Sequence, residues 1–311
     1  MRKTAIAAAE GIKLYTTPDN YLSFFNSPYY SHSATSAVDI YPYSESYEEP
    51  APSPVDGEVV MVHEVHPPRP KNFTASSKDW LILIKCDDAP RYGVRILHVK
   101  PGVEVGERIK VGEPLGCYVR SGFFNFWTGP HIHVEIRDIG NPLRAKGGYT
   151  LTPLCHVSGL ENLQQNSSSN PYFNVAELNE EYLIVEAEGW ITKIGQFYGL
   201  SCLVGGQAGV LDGGLPQYGY CGVHLNSTEQ VEKGDLVRIG TFTVGSVTGK
   251  TDNYVKFKCS PVRTRINGFA LRGLSLYLHL NKPHGFKVVP YKPGYTRFLE
   301  HDCQDMTVAL Q

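Results

Sequence analysis

Apolar and polar positions alternate with a period of two wherever this chain carries its most distinctive residues. Val38 and Ile40 bracket Asp39, and Ile132 and Val134 alternate with His131 and His133. Residues i and i+2 of a strand share a face, so each segment predicts a short strand with its polar residues turned away from the apolar ones. The stretch from Pro101 to Gly116 is punctuated by Gly102, Gly106, Gly112 and Gly116, as turns between short strands require. No long amphipathic helix is legible. The 31 Gly, 21 Pro and 19 Tyr reinforce a mostly β reading.

A chain of 311 residues is long for one domain and comfortable for two. The polar stretch 157–172, which contains Pro171, reads as a linker. The expected domains are therefore residues 1–156 and 173–311. The second half echoes the first. Glu188-Gly189-Trp190-Ile191 resembles Asp56-Gly57-Glu58-Val59, His224-Leu225 resembles His98-Val99, and Val231 to Gly240 resembles Val103 to Gly112. Tyr277-Leu278-His279-Leu280 stands where the His-x-His strand would be. Matches in order and spacing predict a degenerate, non-catalytic copy of the same β fold, with a structural or substrate-binding role. The alternative is that Gly-x-x-Val-x-x-Gly turns recur independently in β proteins.

His131 and His133 on one strand face supply half of a metal site, and a catalytic zinc needs about three protein ligands with one position open. A lone histidine is more often a surface or satisfied residue, and His63, His66, His156, His284 and His301 are placed in that class. His32, Asp39, His98 and the His131-x-His133 pair follow one another in order, with glycine-marked turns between the last three. Glu135 shares the His131 and His133 face, either as a hydrogen-bond partner or as a solvated glutamate.

These residues resemble the lysostaphin/LytM-type zinc metallopeptidases, which cut peptide bonds in bacterial cell-wall cross-links. The resemblance also rests on Ala51 to Val60, on the Gly106 to Gly116 stretch and on Thr128-Gly129-Pro130-His131-Ile132-His133, and it spans Ser31 to Arg137. It implies a barrel-sandwich-hybrid-like N-terminal metallopeptidase domain, with His32, Asp39 and His133 as zinc ligands and His98 and His131 as the catalytic pair. One departure is the spacing, because six residues separate His32 from Asp39 where the family usually has three. The place of His32 therefore depends on how that loop folds back.

The formal net charge of -2 argues against a nucleic-acid binder driven by phosphate neutralisation. No apolar run approaches a membrane span. Met1 to Ala9 begins like a secretory signal but meets Glu10 and Lys13 too early, and an unprocessed chain made in the cytoplasm is expected. Seven cysteines without paired spacing fit reduced, buried thiols. The leading expectation is a zinc endopeptidase acting on peptidoglycan cross-link peptides. Two further readings are a phage or virus particle component docked through its second domain, and a non-catalytic binding module on the same scaffold.

Overall fold

A computed structural model describes residues 3–155, 171–266, 268–281, 285–295 and 307–310. The chain is almost entirely β and divides into two compact units, Met1–Phe24 with Tyr29–Leu154, and Phe25–Pro28 with Cys155–Gln311. Most of the expected linker, residues 157–172, lies outside the described residues; its last residue, Tyr172, already opens a strand.

In the N-terminal unit the strands run β1 (Thr4–Ala9), β2 (Ile12–Thr16), β3 (Tyr21–Ser23), β4 (Val38–Tyr41), β5 (Pro50–Pro52), β6 (Gly57–Val65) and β7 (Asp79–Lys85). They continue with β8 (Tyr92–Leu97), β9 (Val99–Pro101), β10 (Arg108–Ile109), β11 (Pro114–Tyr118), β12 (Ile132–Asp138) and β13 (Thr152–Pro153). The main sheet is antiparallel throughout, in the order β3-β4-β12-β8-β7-β6-β10. A second sheet has the order β5-β11-β9, and a third β13-β1-β2.

Alternation decides what each face of the main sheet carries. Val38, Ile40, Ile132, Val134 and Ile136 are buried on one side, as their β-branched side chains favour. The other side takes Asp39, His133, Glu135 and Arg137. That face is polar yet also buried, with each of the four no more than 6 % exposed. The glycine-marked turns have a steric reason at Gly116, whose φ is +143° and where an added Cβ would sit 1.9 Å from the Lys100 carbonyl oxygen.

The C-terminal unit is also antiparallel. Phe197–Val204 pairs with Gln207–Leu215, which pairs with Tyr220–His224, so three consecutive strands end at a buried histidine as β6, β7 and β8 end at His98. The neighbour of that third strand differs between the units. Beside β8 lies the His-x-His strand β12, whereas beside Tyr220–His224 lies Tyr254–Cys259, and His279 pairs with Tyr198 instead. The six described cysteines are free thiols; Cys86, Cys202 and Cys221 are buried, but Cys117 is exposed, so burial does not hold for all of them.

Candidate metal centre

Three adjacent strands carry the site. Asp39 on β4 lies directly across from His133 on β12, and His133 lies across from Leu97, the last residue of β8. The chain leaves β8 through His98 with a φ of +73°, a left-handed conformation uncommon for a residue with a Cβ. The strain is held from both ends, since the His98 N–H donates to Asp79 Oδ1 at 3.1 Å and its carbonyl accepts the Val119 N–H at 2.9 Å.

His32 lies in a single helical turn, Tyr30–Ser33, and the six-residue interval to Asp39 continues through Thr35 at a φ of +56°. The Thr35 N–H donates to the His32 carbonyl and the Ser36 N–H to the Ser31 carbonyl, so the loop doubles back onto the sheet. His32 is thereby buried at 1 % exposure, with Nε2 3.2 Å from Asp39 Oδ1 and 3.2 Å from His133 Nδ1. The remaining edge, His133 Nδ1 to Asp39 Oδ1, is 2.8 Å.

What sits outside this triangle decides what sits inside it. His32 Nδ1 is 2.9 Å from the Phe24 carbonyl oxygen, which can only accept, so Nδ1 carries the proton and Nε2 a lone pair. His133 Nε2 lies 3.0 Å from Glu135 Oε1 and donates to it, leaving a lone pair at Nδ1. Two imidazole nitrogens and a carboxylate oxygen thus converge, an arrangement that repels itself unless a proton or a metal cation lies between them. Tetrahedral ligand atoms on a zinc, at bond lengths of about 2.0–2.1 Å, would stand about 3.3 Å apart, close to the three observed edges. The donor set fits a divalent metal, and among the described residues His32, Asp39 and His133 are the one such group.

The same face continues below the triangle. Glu135, 1 % exposed, also pairs with Arg95, whose Nη1 donates to the carbonyls of Pro142 and Arg144, each at 3.1 Å. Arg137, fully buried, donates to Pro142 and Lys146 carbonyls. Glu135 is therefore a buried partner of His133, and of the two readings open in the sequence the solvated one is not realised. Burial alone would raise its pKa, but His133, Arg95 and Arg137 hold it below the usual range. Burial acts likewise on Asp39, yet His32, His131 and His133 hold its carboxyl well below the usual carboxylate range.

His98 and His131 stand beside the triangle, 5.1 Å apart between ring centroids. His131 donates from Nδ1 to the Gly129 carbonyl at 3.0 Å, is stacked on Phe124, and has Nε2 3.7 Å from Asp39 Oδ2. Burial pushes its pKa down to about 4, against the raising effect of Asp39. His98 donates from Nδ1 to Asp79 Oδ2 at 2.6 Å, so its Nε2 is a free lone pair. Asp79 is a part of the site that the sequence reading missed. Its signal was a single carboxylate opening an otherwise apolar strand, Asp79-Trp80-Leu81-Ile82-Leu83-Ile84, in register to reach His98. His63, exposed, lies on the wall of the adjoining cleft, and His66 is exposed outside it; His156, His284 and His301 lie outside the described residues.

Both halves of the chain match one family. Its model for the "Domain of unknown function (DUF8155) N-terminal domain" matches residues 13–153, and the companion model for the C-terminal domain matches residues 168–298. Among solved structures, one match is the NMR solution structure of lysostaphin, 16 % identical, covering 72 % of this chain and 86 % of that one with a TM-score of 0.24. At that score the likeness carries no argument. No curated protein matches the sequence.

Proposed function

We propose that this chain is a zinc-dependent endopeptidase that hydrolyses peptide bonds, with cell-wall cross-link peptides as the substrate class implied by its motifs. The observation that carries the reading is the convergence of two histidine lone pairs and one carboxylate, with two further imidazoles alongside. His32 Nε2, His133 Nδ1 and Asp39 would hold the metal. Bound there, zinc would supply Lewis acidity and lower the pKa of a ligated water to about 7.

The chain's own groups divide the remaining tasks. His98 accepts a proton at Nε2, and the Asp79 carboxylate on Nδ1 stabilises the resulting imidazolium. His131 stays neutral near pH 7 because burial holds its pKa at about 4, so its Nε2 orients a donor rather than taking its proton. Glu135 keeps the His133 proton on Nε2, which commits Nδ1 to the metal.

The test is cleavage of cross-linked cell-wall peptides, read as new amine termini by mass spectrometry. Cleavage that a chelator abolishes and added zinc restores is expected. Stoichiometric zinc with no cleavage of any peptide would replace this reading with a binding module.

A further inference from the structure

The cleft that opens beside His98 and His133 has a volume of about 380 Å³, near the low end of ligand-sized pockets. Its wall is apolar and unusually uncovered. Tyr29, Tyr30 and Leu143, exposed by 46 %, 50 % and 53 %, are three of the eight most exposed large hydrophobics among the described residues, and all three line this one cleft. Such a concentration marks a surface meant to be covered.

One side of that wall is built rather than incidental. The carbonyls of Pro142, Arg144 and Lys146 are tied to the buried guanidiniums of Arg95 and Arg137. The intervening residues, Leu143 and Ala145, are the ones that line the cleft. The same strand that presents His133 thus anchors, two and four residues later through Glu135 and Arg137, the loop that shapes the pocket beside it. Across the cleft the Tyr29 hydroxyl donates to the Phe123 carbonyl at 3.0 Å and its ring meets Phe123 edge-on. Among the described residues no acidic side chain lines the pocket, Arg95 does, and Lys146 lies over the Tyr30 ring at 4.7 Å. A cationic side chain would find no counter-charge there.

We propose that this pocket makes the site select peptides with a bulky apolar residue, aliphatic or aromatic, next to the bond to be cut, in preference to glycine bridges. The inference rests on the peptidase reading for the bond cut, but not for the pocket itself. A glycine segment has no side chain to withdraw these walls from water. Filling an apolar pocket with one such side chain is worth about a 10- to 100-fold preference.

Binding and turnover separate the two claims. The full-length protein, with methyl-labelled leucine and alanine, is titrated with N-acetyl-leucine methylamide and with N-acetyl-glycine methylamide. Saturable shifts at Leu97, Leu143 and Ala145 with the leucine probe, at least tenfold weaker with the glycine probe and lost in Leu143→Asp, are expected. Leu143 is half exposed, so that variant keeps the fold. In the zinc-loaded enzyme, Leu143→Asp should lower kcat/KM for a leucine-containing peptide at least tenfold more than it does for a glycine-only peptide. Equal binding of the two probes, or equal loss on both peptides, would overturn the pocket assignment. Selective binding of the leucine probe with no cleavage of either peptide supports the pocket and overturns the peptidase reading alone.

Discussion

Asp79→Asn isolates the proposed role of His98 from the metal. The carboxylate accepts from the backbone N–H groups of Trp80 and His98 on Oδ1, at 2.7 and 3.1 Å, and from His98 Nδ1 on Oδ2, at 2.6 Å, and the Ser121 hydroxyl also bonds to it. Asparagine has one acceptor oxygen where the carboxylate has two. With its oxygen taken by the two backbone donors, its amide nitrogen faces His98 Nδ1 and can only donate. His98 must then move its proton to Nε2, so the nitrogen toward the cleft ceases to be a base. An inverted tautomer of this kind lowers turnover by about 10²- to 10⁴-fold. Losing a buried charge-assisted bond costs about 1.5–3 kcal/mol of stability in addition. The assay pairs kcat/KM on a cleavable peptide with zinc content and ¹⁵N NMR of the His98 ring. Zinc content should stay at the wild-type level, because Asp79 contacts no ligand in the triangle. Wild-type turnover with the tautomer inverted, or an unchanged tautomer with turnover lost, would refute the reasoning.

His133→Ala should lose both metal and activity, whereas His131→Ala should lose activity and keep most of the metal; metal analysis and peptide turnover on the two variants distinguish them. Glu135→Gln removes the charge that fixes the His133 tautomer and should weaken metal binding about 10- to 100-fold, read by competition with a chromophoric chelator. In the metal-free chain, burial lowers the His133 pKa, but Asp39 and Glu135 outweigh it and raise it to about 9. A metal must displace that proton, so affinity should climb about tenfold per pH unit up to about pH 9 with proton release, measurable by calorimetry in buffers of different ionisation heat. The sign for stability is opposite: the raised pKa stabilises the metal-free fold fully below about pH 6.5, and that contribution fades as pH rises through about 9. Gly116→Ala sets a Cβ 1.9 Å from the Lys100 carbonyl at positive φ and should destabilise the protein by about 2–4 kcal/mol in denaturant unfolding.

Period-two alternation was enough to place Asp39 and His133 on one strand face each, because a strand's two faces are fixed by backbone geometry alone. It could not show that they are cross-strand partners, since register depends on contacts far apart in the sequence. The position of His32 was open for a related reason. A one-turn helix closed by Thr35 in a left-handed conformation has no sequence signature, and threonine is not a residue that announces a positive φ. Asp79 was missed because its partner lies nineteen residues away on the next strand, and only the β7–β8 register brings the carboxylate to His98. Arg95 and Arg137 look like surface cations in the sequence. They are buried because Glu135 and the carbonyls of residues 142–146 supply what solvent otherwise would. In the C-terminal unit the histidine that ends the last of three consecutive strands, His224, was legible by its likeness to His98. The neighbour of the last strand was not, because pairing across a sheet leaves no mark at fixed spacing.

Anomalous diffraction at the zinc edge, from crystals grown with zinc, asks without recourse to turnover whether one metal ion joins His32 and Asp39 to His133. The expected result is one strong peak per chain, about 2.0–2.2 Å from His32 Nε2, His133 Nδ1 and an Asp39 oxygen together. A peak bound elsewhere, or an empty triangle at saturating zinc with His32 and His133 hydrogen-bonded to Asp39, would contradict it.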